Sequence, residues 1–292
     1  MTDAPNSRDI AGTDAVAAAT AAAATSDVAM IEIRKLTKSF GSKYALRGVD
    51  LRVMPGESLV IFGPNGAGKT TLIRILSSLS RPSSGTVHIG GLDLATHADG
   101  IRRYLGVVSH APLLYDSLTA EENLRFFAEL YGMTDPEPRI AAMLAQVGLT
   151  TRRGDLVRTF SRGMVQRLAI ARALLHDPVL LLLDEPDTGL DPQAAEMLHD
   201  LLVQVSRGAE QPLRGSGGAE GQRAAGPPSG TPTPPPPRRT IVTVTHSLER
   251  GLALADRSII LSGGRVVFDG DATGVTPAEF RPLYDKYVGG GR

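Results

Sequence analysis

From Met30 to about Asp271 short apolar runs alternate with segments of helical spacing. Ile31-Glu-Ile-Arg34 alternates apolar and polar residues as a half-buried strand does. Further strand-like runs fall at 45–53, 58–62, 86–90, 105–109, 179–183, 240–245, 257–261 and 265–268. Helical patterns follow at Thr71–Leu76 and Pro192–Ser206. Residues 119–147 read as mainly helical, because Thr119-Ala-Glu-Glu122 fits a capping box and Leu124, Phe127, Ala128, Leu130 and Tyr131 make an apolar face. Strand and helix in alternation predict an α/β layer structure, with a helical insertion inside it.

Two stretches break the pattern. Residues 1–28 carry eight alanines between Ala15 and Ala24 without an apolar stripe, and an isolated helix of that kind is marginal in water. The segment reads as a disordered tail, with an amphipathic or docking role as the alternative. From about 207 to 239 the chain is rich in glycine and proline, ending in Thr231-Pro-Thr-Pro-Pro-Pro-Pro237. Prolines in that density exclude helix and sheet interiors. Helical spacing before the stretch and a buried-strand pattern after it mark an inert insertion or a proline-motif docking site, tolerated because loop-closure cost grows only slowly with length. Residues 271–292 are left as a C-terminal tail.

Composition narrows the classes. Hydrophobic residues make up 42% of 292, enough for a sizeable core. Lysine plus arginine equals aspartate plus glutamate at 31 each, so no net charge draws the chain to nucleic acid. Without cysteine there is no disulfide, thiolate nucleophile or cysteine-held metal, which fits a reducing compartment. No window approaches 18 consecutive apolar residues, and the start lacks a secretory pattern. The expectation is a cytoplasmic protein that reaches a membrane only through a partner.

Candidate chemistry concentrates in a few motifs. Gly63-Pro64-Asn65-Gly66-Ala67-Gly68-Lys69-Thr70 fits G-x-x-x-x-G-K-[ST], follows a strand pattern, and leads through Thr71 into a helix pattern. Glycines let backbone amides approach a polyphosphate, and the helix N-terminus adds positive potential. Lys69 suits the β- and γ-phosphates of a nucleoside triphosphate, and Thr70 suits Mg²⁺. Val179–Leu183 is a five-residue apolar run, as in a strand buried on both faces, and it delivers Asp184 and Glu185 at its C-terminal end. Asp184 fits a Mg²⁺ partner and Glu185 a group that orients or deprotonates water; solvated acids capping a strand are the plainer alternative. Phe160-Ser161-Arg162-Gly163-Met164 opens a helix pattern capped by Ser161, which by itself reads as an ordinary core helix. Thr188-Gly-Leu-Asp191 and His246 complete the set. His88, His97, His176 and His199 show no ligand spacing and read as surface or structural residues.

In this order the motifs resemble the ATP-binding subunits of ABC transporters over nearly all of residues 30–270. The resemblance implies a P-loop NTPase (RecA-like) core, an antiparallel β subdomain and an inserted α-helical subdomain at about 98–165. It makes Gly63–Thr70 the Walker A motif, Val179–Asp184 Walker B, Ser161 and Gly163 the signature contacts, Thr188–Asp191 the D-loop and His246 the switch histidine. Phe40, 29 residues before Lys69, falls where the family stacks an aromatic on adenine, unless it is simply a core residue beside the first strand. His110 falls where the family has a glutamine that senses Mg²⁺ and couples to the membrane subunit. Arg162 and Met164 depart from the usual Leu-Ser-Gly-Gly-Gln. The implied state is a homodimer or paired ATPase subunit around two Mg·ATP, driving integral membrane permease subunits on the cytoplasmic face. Val107-Val-Ser-His110 and Phe160–Leu190 are similar to the haem-exporter ATPase of cytochrome c maturation, with an ABC-2 type exporter of drugs, lipids or other small molecules as the alternative.

Overall fold

The computed structural model describes residues 28–109, 111–206 and 238–289. The alanine-rich segment to residue 27, His110 and the stretch 207–237 lie outside the described residues.

Strands β1 (Ile31–Phe40) and β2 (Lys43–Val53) form an antiparallel hairpin. After β3 (Ser58–Phe62) the chain turns into α1 (Lys69–Leu76), whose Leu72, Ile73, Ile75 and Leu76 are buried. A second hairpin, β4 (Ser84–Ile89) and β5 (Leu92–Asp93), completes a four-stranded sheet of order β2-β1-β4-β5. Its turn is Gly90-Gly91, both with positive φ. Helix α2 (Leu94–Arg102) and strand β6 (Leu105–Val108) lead to position 110.

Helix α2 corrects an expectation. It begins at Leu94, capped by the Asp93 carboxylate accepting from Ala95 N at 2.8 Å. Its Leu94 and Ile101 belong to the apolar cluster beneath the antiparallel sheet, not to the helical insertion. A nine-residue helix joined to a two-residue strand leaves too weak a periodicity to place from sequence.

Helices α3 (Ala120–Leu130), α4 (Glu137–Gln146) and α5 (Arg162–Leu174) pack together over a separate apolar cluster. Thr119 and Glu122 make the expected capping box at the start of α3. Buried Asn123 fastens the preceding loop, accepting from Tyr115 N at 2.8 Å and donating to Tyr115 O at 3.0 Å and Thr119 O at 2.9 Å. Strand β7 (Leu180–Asp184), helix α6 (Pro192–Ser206), strand β8 (Thr240–Val244), helix α7 (Leu248–Leu254), strands β9 (Arg257–Ser262) and β10 (Arg265–Asp271), and helix α8 (Pro277–Val288) finish the described chain.

The main sheet has the order β10-β9-β3-β8-β7-β6, parallel except for β10. Strand β7 is buried on both faces: Leu180 and Leu182 join the cluster under the antiparallel sheet, Leu181 and Leu183 the cluster under the helices. Strand β3 does the same, with Leu59 and Ile61 on one side and Val60 and Phe62 on the other. The segment expected as a C-terminal tail contributes to this second side. Helix α8 buries Phe280 with its ring 5.2 Å from that of Phe62. Among the described residues no helix is long and apolar enough to cross a membrane.

Two side chains, Arg172 of α5 and His176 just beyond its end, tie this helix to the edge strand β6. Arg172 Nη2 donates to Val107 O at 2.5 Å, and His176 Nε2 bonds Leu105 O at 3.0 Å while its ring stacks on Tyr131 at 3.8 Å. Burial drives the His176 imidazole down from 6.5 to about 4, so it is neutral in the fold at pH 7. As pH falls from about 6.5 to about 4, the unfolded chain takes up this proton and the folded chain does not, so stability drops across that window. Denaturant unfolding at pH 7 and pH 4.5 should show the wild type losing about 2–3 kcal/mol more than His176→Phe. Equal losses would place the imidazole in solvent.

Candidate functional site

The loop 63–68 leaves the C-terminal end of β3 and threads between two other strands. A Cβ on Gly63 would lie 2.1 Å from Leu261 O, and one on Gly68 2.4 Å from Ala45 O. Both glycines are therefore demanded by the chain's own backbone as well as by any ligand. At Gly66, with φ 78, a Cβ would meet nothing within 4 Å. Gly68 caps α1 in a left-handed conformation without a side-chain cap, so the first amides of α1 are left for another acceptor.

Lys69 is 5% exposed, and its ammonium donates to Gly63 O at 2.8 Å and Pro64 O at 3.0 Å. Burial lowers its pKa, opposed by the charges of Glu185 and Asp184. Thr70 Oγ1 donates to Asp184 Oδ1 at 3.2 Å, which brings the start of α1 against the end of β7. A hydroxyl and a carboxylate in contact at the loop mouth are hard oxygen donors of the kind that Mg²⁺ takes.

Glu185 has φ 52, a left-handed conformation rare outside glycine. Its N–H donates to Val244 O at 2.9 Å, carrying the β7–β8 ladder one residue further. The carboxylate lies 2.5 Å from His246 Nε2 through Oε1 and accepts from Thr188 Oγ1 at 3.2 Å through Oε2. His246, two residues past β8, is thus paired with Glu185 across the ends of two adjacent strands. Behind them Asp187 pairs with Arg250 of α7 at 2.9 Å.

Phe40 is 60% exposed, which removes the alternative of a core residue. It ends β1 opposite Lys43, and two residues further Ala45 carries the carbonyl that touches Gly68. The β1–β2 turn accordingly stands beside the loop, with Lys38 Nζ 4.9 Å from the Phe40 ring. Ser161, Gly163 and Asp191 form a second group. Ser161 caps α5 by accepting from Met164 N at 3.3 Å, and Asp191 caps α6 by accepting from Ala194 N at 2.9 Å. A Cβ on Gly163 would lie 3.5 Å from Ala194 Cβ and 3.9 Å from Leu190 Cδ2, so these two caps are adjacent.

Pro64, Asn65, Ala67 and Thr71 complete the loop and first turn, with Ala67 buried. Sequence reasoning singled out no role for Gln166, whose Nε2 donates to Pro186 O at 2.7 Å, nor for the Arg162 guanidinium, which lies against Gly189. Arg162 stands in the motif at 160–164 and Gln166 two residues beyond it, but only the fold brings them to the segment after Glu185. Among the described residues no cluster of three or more His, Cys, Asp or Glu could hold a metal.

A family model described as ABC transporter matches residues 46–188. The chain is 38% identical over 179 residues to the linearmycin resistance ATP-binding protein LnrL of Bacillus subtilis, covering 61% of this chain and 58% of that protein. It is 32% identical over 254 residues to the Nod factor export ATP-binding protein I of Paraburkholderia xenovorans, covering 86% and 74%. The chain spans between 57% and 66% of the length of three such relatives. The dimeric, post-hydrolysis structure of the ATP-binding cassette MJ0796 with ADP and Pi superposes with a TM-score of 0.69 at 27% identity, over 84% of this chain and all of that one.

The loop glycines are open to a direct comparison of stability. Gly66→Ala should cost about 1–2 kcal/mol from its positive φ alone. Gly68→Ala adds a backbone clash and should cost roughly 3 kcal/mol or more. Thermal unfolding that ranks Gly66→Ala as the worse variant would mean that β2 does not pin the loop.

Proposed function

Because this chain belongs to the ABC transporter ATP-binding family, we propose that it binds and hydrolyses ATP as a dimer and powers an exporter in the membrane. The observation that carries the reading is the Glu185–His246 pair, 2.5 Å apart at the ends of β7 and β8. Thr70 and Asp184 lie beside it at the loop mouth, joined at 3.2 Å.

The loop amides and Lys69 hold the β- and γ-phosphates, and Phe40 stacks on the adenine. Thr70 and Asp184 hold Mg²⁺, which when bound supplies charge neutralisation on those phosphates. Glu185 orients a water toward the γ-phosphorus and takes its proton, and His246 keeps the carboxylate aimed. The Ser161 hydroxyl and the Gly163 amide cap the γ-phosphate of a nucleotide bound by a second copy, while Asp191 anchors the adjoining loop. A dimer follows because each chain brings one loop and one signature helix, and the dimeric cassette MJ0796 supports it.

Permease docking is supported by an exposed apolar patch after position 110. Leu113, Tyr115, Phe126 and Leu130 are all more than a third exposed, and Tyr115 stacks edge-on against Phe126 at 4.9 Å. For the cargo, the relatives' names, linearmycin resistance and Nod factor export, support an exporter of drugs, lipids or other small molecules. The haem-export expectation gains nothing from those names and gives way to this alternative.

Lys69→Ala should abolish ATP binding. Glu185→Gln should keep binding, lose at least about a hundredfold in kcat, and accumulate ATP-dependent dimers on gel filtration. Full turnover by Glu185→Gln would sink the mechanism. His110 takes the place of the coupling glutamine in this proposal. His110→Ala should lower ATPase about tenfold or more and His110→Gln should retain it, as expected for one lost hydrogen bond in the transition state; wild-type rates in both variants would deny the role.

A further inference from the structure

Glu185 needs support that its own strand does not supply. Its φ of 52 belongs to backbone that persists only where the surroundings hold it. Pro186, the next residue, has no N–H, so its carbonyl is the only backbone hydrogen-bonding group it offers. That carbonyl is taken by Gln166, whose Nε2 donates to it at 2.7 Å from the second turn of α5. One turn earlier on the same face, Arg162 lays its guanidinium along the segment. A Cβ on Gly189 would come within 3.1 Å of Arg162 Cζ and Nη2. Gly163 brings the same turn of α5 against Leu190 and Ala194. On the opposite side Asp187 is held by Arg250 at 2.9 Å. The stretch from Pro186 to Ala194 is therefore clasped by the first two turns of α5, and Glu185 sits at its root.

We propose that Gln166, one turn beyond Arg162 on α5, is a positioning residue for Glu185 of its own chain. By fixing the Pro186–Asp187 peptide it sets the direction in which the Glu185 carboxylate leaves β7. This rests on the ATPase function proposed above and adds a task for α5. The helix N-terminus serves the nucleotide held by the second copy, while its second turn aligns the base that acts on the nucleotide of its own chain. Occupancy of one pocket is thereby transmitted to the other through a single rigid helix.

Steady-state ATPase of the full-length chain tests this with Gln166→Met, which keeps length and helix propensity but has no donor. Expected are a fall in kcat of about tenfold or more and a KM for ATP within about twofold of wild type, the signature of an interaction made only in the transition state. The double variant Glu185→Gln/Gln166→Met should dimerise with ATP as Glu185→Gln does. An unchanged kcat overturns the proposal. So does a raised KM with weakened dimerisation at intact kcat, because α5 would then act only on the second copy's phosphate. Should Gln166→Met fail to fold, Gln166→Asn, one methylene too short to reach Pro186, is expected to give the same split. A wild-type chain that turns over no ATP would defeat the underlying function, whereas an active wild type with an equally active Gln166→Met defeats this inference alone.

Discussion

Backbone against backbone at the loop 63–68 is the contact on which the rest of the site depends. Gly63 rides on the carbonyl of Leu261 in β9 and Gly68 on that of Ala45 in β2, at separations that no side chain could occupy. One strand belongs to the parallel sheet and the other to the antiparallel sheet. The loop therefore rivets the two sheets together, with Asn65 and Gly66 exposed between the two pinned glycines. Apolar packing beneath it, with Leu72, Ile75 and Leu76 of α1 against both sheets, keeps the rivet from loosening.

Around that fixed loop the charges are arranged by strand ends. Lys69 is nearly buried and held by the loop's own carbonyls. Asp184 and Glu185 approach it from β7, and His246 approaches from β8. Neighbouring parallel strands are about 4.8 Å apart, so groups at the ends of β7 and β8 meet without any loop having to search for them. Among Lys69, Asp184, Glu185 and His246, Glu185 alone has a positive φ, and hydrogen bonds through Val244, Thr188 and the Gln166–Pro186 contact hold it there.

Much of this was legible along the chain. The loop motif, the doubly buried run before Asp184, the Thr119 capping box and the Ser161 cap each depend on residues within a few positions of one another, so local chemistry announces them. The start of the helical subdomain was put near 98, inside α2, because nine residues after a two-residue strand carry little periodicity. Helix α8 was read as a tail because its packing is with distant residues, its buried Phe280 meeting Phe62 from more than 200 positions away in sequence. The cargo expectation rested on likeness around position 110 and at Phe160–Leu190, and the relatives' names favour its alternative.

What the sequence by itself determined is the inventory: a phosphate loop, two acids closing a buried strand, a capped helix and a histidine, each recognisable because its physics is local. What only the tertiary structure decided is how these meet. That Glu185 takes a left-handed backbone, that His246 lies on its carboxylate, and that Gln166 holds the peptide beyond it follow from strand order and helix placement. Those are set by burying apolar faces far apart in the chain, and no short window of residues contains that information.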